Sequence, residues 1–523
     1  MKYRFVLLQM VGWFILGACT SLTDEPFIDS TDLTGFSLQK SQDSLILKPG
    51  QSEQTGSNLT VSDSEFLIKL VSSVQPASST LKLQNLNVLI TSPSGIRLPS
   101  NINLDLSGTT ITVSPEIRQD GNVFWGRNVK NVRIMNGQIN GNRDQLPDHV
   151  NIAGIVITGA SSDIRVTGTS FSNLSSNGIR VMGTSESQPI SNVNIQNCVF
   201  LNTCNKYNDY LEPNVGPVKG TTRDDQGAVK FSFVNQFQVR DCRLSGSKSD
   251  GTHFFRSNYG EISQNTIIDN KMGGLFLETC VGITASRNTI MGNGSRGITV
   301  ERGSADIQIT DNLVSSSGRE GIWIDDTKNM MVSGNSFRLN GRKGDTDRTY
   351  HIKFTDTSWP QLASMPKTTN VTVTKNKFLT DRIQVHAIQI SSACRDISIN
   401  SNEFRGDIRS IRPDCYISGV GSVTLSGNDG WVTENSGRIR LLALTGKQTV
   451  EVPHGLQVFD PANPQIQKQL VVEVKTVRPV SDPSAIRFTV KSDLQKLVFS
   501  DIFISEKLNL SSELVWTATL VSK

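Results

Sequence analysis

Gly274-Leu275-Phe276-Leu277-Glu278, Gly297-Ile298-Thr299-Val300-Glu301 and Gly321-Ile322-Trp323-Ile324-Asp325 decide how this 523-residue chain folds. Each is a turn residue followed by apolar and variable positions in alternation, the pattern of a strand with one buried face. Gly154-Ile155-Val156-Ile157-Thr158 and Gly178-Ile179-Arg180-Val181-Met182 carry the same pattern upstream. A second register runs beside it: Asn265, Asn288, Asn312 and Asn335 follow one another at steps of 23, 24 and 23 residues. It continues through Asn376, Asn402 and Asn428, and Gly137, Thr169, Cys198 and Cys242 hold the same place upstream. Two or three strands per step cannot bury their apolar faces alone. Stacking successive units closes a continuous core, as in any solenoid. An inward Asn that bonds the equivalent Asn one coil on satisfies polar groups otherwise buried without partners. Leucine-rich frames and helical spacing are absent. The expectation is an all-β chain built around a parallel β-helix.

The first twenty residues read as a processing signal rather than structure. Lys2 and Arg4 precede an apolar run, Phe5 to Leu16, too short to span a membrane. It ends in Leu16-Gly17-Ala18-Cys19, which resembles the lipobox of bacterial lipoproteins. That resemblance implies cleavage after residue 18, lipidation of Cys19 and attachment to a membrane through this lipid alone. Thr20 follows the Cys instead of the Asp that holds many lipoproteins at the inner membrane, so outer-membrane or surface placement in the cell envelope is expected. Residues 1–19 are thus read as a signal peptide and 20–57, rich in Ser, Thr, Asp and Gly, as a flexible tether. Residues 58–125 are read as the N-terminal cap and first coils, and 126–432 as the β-helix. Residues 433–523 lose the Asn repeat and show four separated alternating runs, the signature of a small C-terminal β-sandwich. His454, in the turn 452–456, reads as a locally bonded turn residue.

Composition narrows the function. A net charge of +4 with no basic block or interleaved aromatic stripe argues against nucleic acid as a partner. Cys198, Cys204, Cys242, Cys280, Cys394 and Cys415 match no zinc spacing and are too sparse for a disulfide framework. Cys198 and Cys242 could fall on adjacent coils, within disulfide reach or merely stacked. No oligomeric state can be read from the chain.

The repeat resembles the right-handed parallel β-helix proteins of the pectate-lyase and polygalacturonase type over about residues 85 to 430. Gly95 to Leu104 looks like that family's first coil, which caps the helix end. The resemblance implies a right-handed β-helix that touches polysaccharide, with lyases, hydrolases, epimerases, adhesins and tailspikes all on such folds. Polygalacturonases carry Asn-Thr-Asp, Asp-Asp, Gly-His-Gly and Arg-Ile-Lys on four successive coils. The corresponding coils here match only at Asp250, which puts ordinary polygalacturonase chemistry in doubt.

Outward positions of equivalent strands form ladders about 4.8 Å apart. One ladder is expected to hold His253, Phe276, Thr299, Trp323 and His351, and its neighbour Phe255, Glu278, Glu301, Asp325 and Lys353. Asp250, Glu278, Glu301 and Asp325 are the catalytic candidates, and His253, Phe276, Trp323, His351 and Lys353 the substrate-binding ones. Aromatic faces stack on sugar rings, and paired carboxylates serve as acid and base. Crowded carboxylates should raise at least one carboxyl pKa or recruit a cation, Ca²⁺ being possible. A lyase would need a base such as Lys230, Lys353 or Arg296 near Glu278 and Glu301. Loops near 204–226 and 341–369 break the spacing and bring Tyr207, Tyr210, Asp224, Asp225, Asp347, Tyr350 and Trp359. A hydrolase or lyase and a non-catalytic glycan-binding or adhesin-like protein both fit. Solvated strand faces also carry Glu, Asp and Thr.

Overall fold

The computed structural model describes residues 80–204 except 148, then 227–344, 349–357, 367–380 and 387–406 except 392, with separate stretches elsewhere. These residues wind into three long sheets of parallel strands. Each full coil contributes one strand to each sheet in turn: Leu275–Glu278 to sheet 1, Thr284–Ser286 to sheet 2 and Thr289–Met291 to sheet 3. The chain is a right-handed parallel β-helix.

The alternation read from the sequence is the register of sheet 1. Leu275, Ile298 and Ile322 lie side by side, as do Leu277, Val300 and Ile324, and all six are fully buried. A single apolar column results, filled in sheet 3 by stacked rings: Phe337, Phe378 and Phe404 stand 4.9 Å apart, nearly parallel.

The bend from sheet 2 to sheet 3 takes two residues. The first adopts a left-handed backbone, as at Gln264, Arg287 and Asp311 (φ 58°, 55° and 56°). The second is the inward Asn. Asn265, Asn288, Asn312, Asn335, Asn376, Asn402 and Asn428 form an unbroken ladder, each Nδ2 donating to the next Oδ1 at 2.9–3.0 Å. Each Oδ1 also accepts the preceding Asn backbone N–H, and each Nδ2 also reaches a carbonyl of the previous coil. No buried amide in the ladder is wasted. A second bond of the same kind, between Asn270 and Asn293 (2.9 Å), stabilises the bend from sheet 3 back to sheet 1. The sequence reading overlooked it. Cys198 and Cys242 occupy the upstream rungs as free, buried thiols facing backbone carbonyls.

Two boundaries differ from expectation. Part of the stretch read as tether forms antiparallel strands, Phe36–Ser41 and Ser44–Pro49, and the second pairs with Thr80–Leu83 of sheet 2. The coil at Ile96–Arg97 opens sheet 1, but sheets 2 and 3 already carry earlier strands there, so it does not end the stack. Beyond the solenoid, two three-stranded antiparallel sheets enclose a separate core of Leu497, Phe499, Leu514, Trp516 and Ala518. This is the expected C-terminal sandwich. Cys19, Cys415 and His454 lie outside the described residues.

Candidate functional site

The site is the outward face of sheet 1 together with the turn that leads into it. Three parallel ladders build it. The strand ladder runs Lys230, His253, Phe276, Thr299, Trp323 and Lys353. The strand-end ladder runs Phe255, Glu278 and Glu301, and Asp325 pairs with Thr355 on the following coil. A third ladder, not anticipated, lies in the turn just before the strands and holds Asp250, Gly273, Arg296 and Glu320, as the bonds between successive turns show.

Lys353 and His351 therefore sit elsewhere than expected. Lys353 stands beside Trp323, not beside Asp325. His351 precedes its strand and points inward: it is fully buried, with Nδ1 3.1 Å from Asn340 Nδ2 and Nε2 3.1 Å from the Leu379 carbonyl. Burial lowers its pKa to about 4 against the effect of that carbonyl. It is a buried core histidine.

The acidic ladder also differs from its expected character. Period two says which face a residue occupies, not what lies over that face. Asp250, His253, Glu278, Glu301 and Asp325 are all 5% exposed or less. They form a buried charged network. His253 Nδ1 lies 3.4 Å from Asp250 Oδ2, and its Nε2 lies 3.4 Å from Glu278 Oε2. Its ring stacks on Phe276 with centroids 4.5 Å apart. Asp250 also accepts the Gly273 backbone N–H at 2.7 Å. Gly273 leaves little room for a side chain, since a Cβ there would stand 3.0 Å from the Asp250 carboxylate. Burial alone would depress the His253 pKa, but the Asp250 and Glu278 carboxylates outweigh it and raise it.

Arg302 completes the network. It follows Glu301 in the turn with a left-handed backbone (φ 57°), which swings its guanidinium back over the face. It pairs with Glu278, and its Nε lies 3.2 Å from Glu301 Oε1. Burial pushes the Glu301 carboxyl up to about 7, Arg302 and Arg296 opposing and Glu278 and Asp325 adding to it. The expected pKa rise is present, though desolvation leads and carboxylate crowding is secondary. The cation at the ladder is a guanidinium. Among the described residues no group of three or more His, Cys, Asp or Glu is placed to hold a metal ion.

Among the described residues Asp325 is bonded at one oxygen only. Its Oδ1 accepts from Thr355 Oγ1 (2.5 Å), Thr357 N (3.0 Å) and Thr357 Oγ1 (2.8 Å), while Oδ2 has no hydrogen-bond donor. Thr355 also accepts from Trp323 Nε1 at 2.7 Å, which locks the indole. Arg296 lies over that indole, Cζ 3.8 Å from the ring centroid, and bonds Glu320 at 3.2 Å. Phe276, Trp323, Arg296, Arg302, Lys353 and Thr355 are half-buried and form the mouth above the buried charges.

Arg302 and Glu320 belong to turns, so a reading confined to strand positions passed over them, while Arg296, expected as a possible base near Glu278 and Glu301, lies over Trp323 and bonds Glu320. The signal available was the alignment of the turn residues before Gly251, Gly274, Gly297 and Gly321. Of the inserted loops, residues 205–226, 345–348 and 358–366 lie outside the described residues, and with them Tyr207, Tyr210, Asp224, Asp225, Asp347 and Trp359. Tyr350 is buried, its ring 5.7 Å from Lys353 Nζ.

Comparison with known proteins agrees with this architecture. The family described as right handed beta helix region matches residues 221–337. No curated protein matches the chain in sequence. Among solved structures it is similar to the A-module of mannuronan C-5 epimerase AlgE6 of Azotobacter vinelandii. That match has 12% identity and a TM-score of 0.56, covering 69% of this chain and 93% of that one. The AlgE4 A-module of the same organism matches at 12% identity and a TM-score of 0.53, covering 67% and 91%. Likeness at this identity is likeness of fold, and the fold is the right-handed parallel β-helix.

Proposed function

We propose that this chain is a polysaccharide-processing enzyme of the bacterial cell envelope that holds an acidic glycan across sheet 1 and transfers a proton there. The observation that carries the reading is His253, fixed between Asp250 and Glu278, two coils from Glu301, whose carboxyl titrates at about 7. A buried imidazole oriented by one carboxylate beside a carboxyl that exchanges its proton near neutrality is an acid–base arrangement. Phe276 and Trp323 offer ring faces to sugars, and Arg296 and Lys353 offer positive charge to a uronate carboxylate. Hydrolysis would use Glu301 to protonate the leaving oxygen. Elimination or epimerisation would use the Glu278 carboxylate, backed by His253 and Asp250, to take the proton beside a uronate carboxylate. The solved structures of similar fold are named as epimerases of mannuronan, which favours acidic glycans as the first substrates to test. Envelope placement rests on Cys19 as a lipid anchor; Cys19→Ala should move the protein out of the membrane fraction.

Non-catalytic glycan binding is the second reading. The observation favouring it is that Arg302 already neutralises Glu278 and Glu301 within the fold. Incubation with a panel of acidic and neutral polysaccharides separates the readings. New unsaturated uronate absorbance marks a lyase, new reducing ends without it a hydrolase, and inverted sugar configuration by NMR an epimerase. Binding without any of the three establishes the second reading.

A further inference from the structure

A groove with no part in the site above runs along the outward face of sheet 2. Its volume is about 780 Å³, and it is lined by Arg165, Asn194, Gln238, Tyr259, Glu261 and Arg287, among others. A smaller hollow of about 290 Å³ continues it past Arg165 to Arg133 and Asp163. The two share Arg165, Asn192 and Asn194, so they form one track. The track crosses six strands, from Lys130–Met135 to Thr284–Ser286. At the spacing of parallel strands this is about 24 Å, long enough for several sugar units.

Along its centre the register places Arg133, Arg165, Asn194, Gln238, Glu261 and Thr284 in one line. The polar groups at one end are already bonded to each other: Asn194 Nδ2 donates to Gln238 Oε1 (2.9 Å) and Gln238 Nε2 to Glu261 (3.3 Å). Ser263 also donates to Glu261 (2.7 Å), and Asp163 accepts from Asn192 (2.6 Å) and Ser162 (2.7 Å). Both carboxylates of the track are thereby engaged. The guanidiniums are not. Arg133 and Arg165 stand directly opposite each other on adjacent strands, a like-charge pairing that destabilises a sheet. The side chains of these two and of Arg287 make no hydrogen bond or ion pair among the described residues, and all three are exposed.

The border of the track differs from the rest of the solenoid. At the left-handed position of each sheet-2 strand, side-chain amides bond their neighbours along the helix: Asn131 to Asn101, Asn192 to Asp163, Asn329 to Asp306 and Asn370 to Asn329. Three successive positions in the wider part of the groove, Gln236, Tyr259 and Gly282, make no such bond among the described residues. The Tyr259 ring lies against Gly282, whose added Cβ would stand 2.9 Å from it, and it remains 64% exposed. An aromatic ring laid open beside a polar track is a stacking platform for a sugar.

We propose that this face of sheet 2 is a second binding track for an acidic polysaccharide strand. Arg133 and Arg165 meet its acid groups, Tyr259 stacks on a ring, and the amide line bonds hydroxyls. It would hold the polymer to the protein independently of the sheet-1 face. The test is calorimetric binding of long and short oligouronates to the full chain, to the double variant Arg133→Ala/Arg165→Ala and to Tyr259→Ala. All replaced side chains are exposed, and unchanged melting curves verify the fold. Affinity for long oligouronates should fall roughly tenfold or more in the double variant, as expected for lost charge-assisted bonds. The wild-type affinity should weaken with salt, and a neutral oligosaccharide of equal length should bind less well. Turnover of short oligouronates, where present, should be unchanged in all three proteins. Equal affinity of wild type and double variant overturns the proposal, as does absence of oligouronate binding by the wild type. If no glycan is turned over yet binding depends on Arg133 and Arg165, the sheet-1 reading fails and this one stands.

Discussion

His253 and Glu278 face each other across one coil of sheet 1, Nε2 to Oε2 at 3.4 Å, both almost wholly buried. With Asp250 on the other side, the imidazole stands between two carboxylates, one of which also pairs with Arg302. His253→Phe keeps the stacking on Phe276 but leaves both carboxylates without it. Denaturant unfolding at neutral pH should show a loss of roughly 3 kcal/mol, the usual scale for breaking a buried ion pair. Unchanged stability would mean that the imidazole is neutral and its contacts are packing alone.

The pH dependence of stability should run downhill toward neutrality. Glu301 titrates at about 7 in the fold against 4.5 unfolded. The unfolded chain therefore gives up this proton first, and stability declines between about pH 4.5 and 7. His253, raised above 6.5, contributes stability that is full below 6.5 and lost as pH climbs through its higher folded value. Glu301→Gln removes the first decline and leaves the second. Unfolding midpoints measured across this range should give a flatter curve for the variant below pH 7. Parallel curves would show that Glu301 carries an ordinary carboxylate.

The fold was legible because its two registers, the Gly-led alternation and the Asn series, are both set by the interior. Leu275, Val300 and Ile324 announce their burial by type and spacing, and Asn312 by its place in the series. The site was legible in part. Alternation brought Glu278 to Glu301 and His253 to Phe276, since in-register stacking turns equal sequence position into contact. It said nothing of Arg302, and it offered Arg296 only as a possible base, since the contacts of both depend on turn backbone rather than strand period. Nor did it reveal that the acidic face is covered, because outward is not the same as exposed when arginines fold back over a strand. His351 was misplaced because the insertion before it shifts the register by two residues, leaving Lys353 on the ladder.

The Asn ladder predicts a large cost at a single rung. Asn312 gives and takes four hydrogen bonds, linking Asn288, Asn335 and the Ala285 carbonyl. Asn312→Leu is close in volume but leaves the Asn288 amide, the Asn335 oxygen and that carbonyl with unmet bonds in the interior. A loss of roughly 2–4 kcal/mol is expected from thermal or denaturant unfolding, from several unsatisfied buried groups. A variant as stable as the parent would show that packing, not the amide ladder, secures the bend.

Trp323 separates binding from architecture. Its indole is half-buried, bonded to Thr355 and covered by Arg296. Trp323→Ala removes a stacking surface without breaking the core column. Glycan affinity at the sheet-1 face should drop about tenfold, while stability falls by about 1–2 kcal/mol through the lost cation–π and packing contacts. Intact affinity would place the sugar elsewhere on the solenoid.

The most direct test of the account is the rate at which Glu301→Gln turns over acidic polysaccharide, beside wild type, in one assay following unsaturated uronate, reducing ends and sugar configuration. A proton-transferring site on sheet 1 predicts measurable turnover by wild type and a loss of roughly a hundredfold or more in the variant, with melting at or above the wild-type temperature at neutral pH. Turnover that survives Glu301→Gln unchanged would contradict it.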